Sequence, residues 1–119
     1  MELRGKKVLV VDDSESTLFI LGYLLEQEGA TPGYAENGFK AIEQVQSNNY
    51  DLILMDIQMP ECDGIEATKQ IRSMQVCIPI IAVTAASEHE AESFPQMGFS
   101  AFCQKPVDFD ELKQLLSNH

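Results

Sequence analysis

The chain has 119 residues, 45% of them hydrophobic, and a formal net charge of −11; at this length one core can outweigh chain entropy, which predicts a single domain over residues 1–119. The charge is spread evenly, with 10 acids and 4 bases in residues 1–60 and 9 acids and 4 bases in residues 61–119. Such a surface disfavours direct nucleic-acid binding, which depends on Lys and Arg neutralising phosphates. Cys62, Cys77 and Cys103 form no CxxC pair and fit neither a disulfide framework nor a zinc site. No apolar run approaches the ~20 residues of a membrane span, and MELRGKK is not followed by a signal-peptide pattern. A cytoplasmic domain without membrane contact is expected.

Along the chain, short aliphatic runs alternate with segments of helical period, the pattern of parallel βαβ units. Lys7–Val11 reads as a strand, followed by a helix over 14–28 whose Leu18, Leu21 and Leu25 share a face and which Gly29 stops. A short strand at Thr31–Ala35 leads to a helix capped by Asn37, with Ala41, Ile42 and Val45 inward and Ser47-Asn48-Asn49 closing it. Leu52–Met55 lacks polar alternation, so it is expected in the sheet centre, covered on both faces. Asp63-Gly64 opens a helix to about Ser73, and 78–83 (IPIIAV) is a strand with Pro79 near its start. The fourth helical segment, 87–98, is acidic and carries Pro95, which suits the first turn of a short or irregular element. Ala101–Gln104 is the last strand, and Phe109, Leu112, Leu115 and Leu116 stripe the last helix. The fold class is α/β: one doubly wound, five-stranded parallel sheet in the flavodoxin-like order 2-1-3-4-5.

In such sheets ligands gather outside the carboxyl ends of the strands. Asp12 and Asp13 follow strand one, Asp56 strand three, Thr84 strand four and Lys105 strand five, so the topology predicts that they meet. Three carboxylates that close would force proton uptake unless a cation neutralises them. Oxygen-only ligands suit Mg²⁺, with Mn²⁺ as the substitute, because Mg²⁺ binds through few carboxylates plus phosphate oxygens. Together with the cation and Lys105 the cluster is formally neutral and can admit a phosphoryl group, which Asp56 would attack in line.

The acidic pair in VVDDS, MDIQMPECDG around Asp56, Thr84 and Lys105-Pro106, with separations of 43, 28 and 21 residues (13 to 56, 56 to 84, 84 to 105), resemble the receiver domain of bacterial two-component response regulators over essentially the whole chain. The resemblance implies that Asp56 is the phosphoacceptor and that Asp13 and the Gln58 main-chain carbonyl bind the metal directly. Asp12 would do so directly or through water. It makes Thr84 and Lys105 the phosphoryl-holding residues, Phe102 the switch aromatic that moves with Thr84, and Lys105-Pro106 a cis peptide. The expected function is a phosphorelay receiver, itself not an enzyme, that takes its phosphoryl group from a histidine kinase or histidine phosphotransfer domain and then changes partner binding. MDIQMP, DGIEAT with Ile71-Arg72, and the lead-in LRGKKVLVVDD are most similar to receivers of hybrid sensor histidine kinases, which makes Met1 an expected artificial start within a longer protein. Two departures stand out: the segment around Pro95 is about one residue short, and Phe102 replaces a frequent Tyr.

Each residue alone has an ordinary explanation. Asp12 or Asp13 could cap the first helix and Thr84 the next, Lys105 could be solvated, and Phe102 could be plain core. Met55, Met59, Met74 and Met97 read as packing residues, Glu88, Glu90 and Glu92 as a solvated face, and His89 and His119 as surface. A phosphatase that also forms an aspartyl phosphate would need a second Asp two residues after the nucleophile, where Gln58 and Ser14 stand. No GxGxxG or GxxxxGK[ST] follows strand one, against a nucleotide fold. A receiver that only docks partners would lack some of the reactive residues, and none is missing.

Overall fold

The computed structural model describes residues 3–59, 62–85 and 92–119. Five parallel strands, β1 (Lys7–Val11), β2 (Thr31–Ala35), β3 (Leu52–Asp56), β4 (Ile80–Thr84) and β5 (Ala101–Gln104), form one sheet in the order β2-β1-β3-β4-β5. The helices are α1 (Glu15–Gln27), α2 (Gly38–Ser47), α3 (Gly64–Ser73) and α4 (Phe109–Ser117), with a single 3-10 turn, η1, at Phe94–Met97. Strand order reverses between β1 and β3, which places the crevice of this sheet above their carboxyl ends.

Alternation along each strand divides the core into two layers. Leu9, Val11, Ile53, Met55, Ile80 and Ala82 face the α2 and α3 side, where Ala41, Ala67 and Ile71 meet them. Val8, Val10, Leu52, Leu54, Ile81 and Val83 face the other side, against Leu21, Leu25, Leu112 and Leu116 from α1 and α4. β3 and β4 are buried at every residue, as their uninterrupted apolar runs require, and each such Leu or Ile contributes roughly 1.5–3 kcal/mol by leaving water. The four methionines assigned to packing all lie in the first layer.

Local signals fix the helix ends. Ser14, Asn37, Asp63 and Asp108 each accept a hydrogen bond from an amide of the first turn, so Ser14, and neither Asp12 nor Asp13, caps α1. Gly29, at φ +88°, ends it. Three strand boundaries differ from expectation. β3 and β4 run one residue further, so Asp56 and Thr84 are their last residues. β4 starts at Ile80, because the Val76 and Ile78 carbonyls are taken by the Arg72 guanidinium at 2.8 and 2.7 Å and Pro79 has no amide to donate. The described part of the expected irregular segment is η1, with Pro95 in its first turn and Gly98 closing it at φ +103°. Residues 87–91, and with them Glu88, His89 and Glu90, lie outside the described residues. Glu92 and His119 are exposed. No described helix is long and apolar enough to cross a membrane.

Candidate functional site

Register builds the site. Val11 pairs with Met55, so Asp12, next along the chain, stands beside Asp56. Asp56 pairs with Val83 and Thr84 with Gln104, while the Lys105 amide donates to the Thr84 carbonyl at 2.8 Å. Asp12, Asp56 and Thr84 are three of the four buried polar or charged residues among the described ones, at 4%, 2% and 2% exposure; they lie on the sheet edge where a hydrophobic core would otherwise continue.

Carboxylate oxygens of Asp12, Asp13 and Asp56 lie within 4.8 Å of one another. Lys105 Nζ lies 3.1 Å from Asp56 Oδ1, and the Gln58 amide donates to the same oxygen at 3.3 Å. Asp12 Oδ1 accepts the Ser14 amide at 2.9 Å. Burial and then the neighbouring Asp56 and Asp13 carboxylates push the Asp12 carboxyl above its usual range, against the Ser14 amide and Lys105, which lower it. Three carboxylates gathered around one lysine leave room for a further cation. The donor set is all oxygen and gathered within 4.8 Å, so it fits a hard divalent ion.

The expected residues therefore come together with one exception in kind. Phe102 is half-buried two residues before the end of β5, and its ring meets Phe94 edge-on at 6.2 Å; Phe94 in turn packs on Phe99 at 5.5 Å. It belongs to an aromatic group under η1 as well as to the strand that carries Lys105. Lys105-Pro106 is cis, as the resemblance implied.

Two features escaped the sequence reading. Gly64 opens α3 as expected, but a β-carbon on it would collide with the Asp56 carbonyl, and its amide donates to the Ile57 carbonyl at 3.0 Å. A glycine at a first helical position, where propensity does not favour it, was the available signal. Arg72 is the other: its guanidinium donates to the Gly98, Val76 and Ile78 carbonyls, and burial lowers its proton affinity. Nothing in spacing distinguishes it from a solvated arginine.

Fold and edge cluster together define a flavodoxin-like α/β domain with an acidic, cation-ready centre at its strand-order reversal. The model of the response regulator receiver domain matches residues 8–117, and the chain belongs to that family. Among curated relatives, the sensor protein GacS of Pseudomonas syringae pv. syringae is 39% identical over 95% of this chain, which spans 13% of that protein. Among solved structures, the receiver domain of the Francisella response regulator 1452 superposes with a TM-score of 0.91 at 30% identity, covering 96% of this chain and 95% of that one. The response regulator TrrA of Thermotoga maritima, solved in complex with Mg²⁺-BeF, gives 0.85 at 34% identity over 95% and 97%. The chain is thus a receiver domain of two-component phosphorelay signalling.

Proposed function

We propose that residues 1–119 form one receiver domain that takes a phosphoryl group onto Asp56 from a phosphohistidine of a histidine kinase or phosphotransfer domain. The observation that carries this reading is the cluster of three carboxylates within 4.8 Å at the sheet edge, with Lys105 on Asp56. An Asp56 oxygen forms the new bond to phosphorus as the phosphorus–nitrogen bond to the donor imidazole breaks, and the imidazole nitrogen leaves with the electron pair. Bound Mg²⁺ or Mn²⁺, held by Asp12, Asp13, Asp56 and the Gln58 carbonyl, would supply charge neutralisation between the acceptor and a phosphoryl oxygen. Lys105, whose Nζ reaches Asp56 from beyond the end of β5, holds a second oxygen, and Thr84, at the end of the neighbouring β4, donates its hydroxyl to a third. Movement of Thr84 toward the phosphoryl group is then passed to Phe102 and changes partner binding. The domain is a signalling switch that assists its own phosphorylation; a hybrid kinase as parent, in the cytoplasm, goes with this reading.

Incubation with Mg²⁺ and a small phosphodonor should add one phosphoryl group, read by intact mass. Asp56→Asn should remain unlabelled. An unlabelled wild type, or an equally labelled variant, overturns the proposal.

A further inference from the structure

The connection from β3 to α3 carries Gln58, and it is fastened from α2. Gly38, the first residue of α2, donates its amide to the Cys62 carbonyl at 3.1 Å. A β-carbon on Gly38 would lie 2.5 Å from that carbonyl oxygen, 2.6 Å from the Cys62 Sγ and 2.9 Å from its Cβ. The need for glycine here is one of space, because its backbone is not in the left-handed region. Cys62 is buried at 3% exposure in the same core layer as Met59, Ala35 and Ala41. At the far end of the connection the Gly64 amide holds the Ile57 carbonyl, and at its start the Gln58 amide holds Asp56 Oδ1. Among the described residues, Cys62 is therefore wedged against α2, and through Gly64 it is linked to Ile57 and so to Gln58, whose amide binds Asp56.

We infer that Gly38, acting through Cys62, is a positioning residue for the metal-binding end of the site. The inference deepens the reading proposed above and rests on it, since it takes the Gln58 carbonyl and the Asp13 and Asp56 carboxylates as ligands. Any side chain at position 38 must push Cys62 away, and the displacement passes through the Gly64–Ile57 hydrogen bond to Gln58, whose carbonyl is taken as a ligand. Mg²⁺ demands near-ideal octahedral geometry, so a shift of a few tenths of an ångström reaches its affinity. The maximal rate of phosphoryl transfer, set by Asp56, Lys105 and Thr84, moves less once the ion is saturating.

The test is the Mg²⁺ dissociation constant by titration calorimetry for wild type, Gly38→Ala, Cys62→Ala and Asn37→Ala, paired with the Mg²⁺ dependence of phosphorylation. Asn37→Ala removes the α2 cap, whose side chain accepts the Lys40 amide at 2.8 Å, and leaves the Gly38–Cys62 contact in place. Gly38→Ala should raise the dissociation constant about tenfold, the scale seen when a group that orients a metal ligand is lost. Cys62→Ala should raise it by a smaller factor, Asn37→Ala should lower the melting temperature with Mg²⁺ affinity unchanged, and all should approach wild-type rates at saturating Mg²⁺. Unchanged affinity in Gly38→Ala and Cys62→Ala overturns the inference, as does equal weakening in Asn37→Ala, which would mean general softening. Should Gly38→Ala not fold, Cys62→Ala decides alone by the same criterion. Absence of Mg²⁺ binding by wild type overturns the underlying site assignment, and the inference with it.

Discussion

The acceptor side of the sheet and its far side are held by different means. Around β1 and β3, α1, α2 and α3 provide 13, 10 and 10 helical residues, and close contacts at Gly38 and Gly64 fix the segment next to Asp56. Between β4 and β5 the described residues provide one 3-10 turn of four residues. That turn is kept in place by three phenylalanine rings and by one arginine that grips the Gly98 carbonyl. The difference teaches where rigidity is spent. Groups that must meet at fractions of an ångström sit on long, capped elements, while the described residues between β4 and β5 are held by ring packing and arginine–carbonyl hydrogen bonds.

Removing the strongest of those fastenings is the most direct way to break the contrast. Arg72→Met should cost about 2–4 kcal/mol in urea denaturation, since three carbonyls lose charge-assisted donors at once. The loss should fall on η1 and the start of β4, seen as faster amide exchange at Phe99 and Ser100, whose amides bond to the Phe94 and Ile80 carbonyls. A loss below about 1 kcal/mol would show that the aromatic rings alone hold this side.

Thr68 offers a smaller change of opposite sign. It is fully buried on α3, its hydroxyl has no hydrogen-bond partner among the described residues, and it lies beside Gly98 and Arg72. Thr68→Val should stabilise the fold by up to about 1 kcal/mol, because an unpaired buried hydroxyl is replaced by a methyl group of similar shape. Destabilisation would mean that a water or an unseen partner satisfies it, and that α3 meets η1 through a polar contact.

Thiol reactivity sharpens the comparison most finely. Cys77 is exposed, while Cys62 and Cys103 are buried, one in each core layer. Burial first, and then nearby carboxylates, raise the proton affinity of both buried thiols. Their thiolate fractions therefore stay low until a higher pH than for a free cysteine, and reaction with an aromatic disulfide should accelerate as pH rises. In a Cys77→Ser background, Cys103 on β5 should react several-fold faster than Cys62, because its side of the sheet opens more readily. Equal rates would show that both sides open together.

Much of the fold was legible because parallel strands buried on both faces must be uninterrupted apolar runs, as LILM is, and because Ser, Asn, Asp and Gly mark helix ends by local chemistry. The site was legible for a related reason: Asp12, Asp56, Thr84 and Lys105 each stand at or just past a strand end, and topology then brings them together. The start of β4 was misplaced because its decisive partner, Arg72, acts across the fold on carbonyls that carry no sequence signature. Gly64 was read as opening α3, and its closeness to the Asp56 carbonyl escaped for the same reason.

By itself, the sequence determined the strand order, the acidic edge and the membership of Asp12, Asp13, Asp56, Thr84 and Lys105 in one cluster, since period, capping and spacing are local properties of the chain. Only the tertiary structure decided that Gly38 is a space kept empty beside Cys62 and Gly64 one beside the acceptor, that Arg72 clasps η1, and that Phe102 rests on Phe94. Those depend on which atoms approach across sequence-distant elements, and close packing settles them only after the chain has folded.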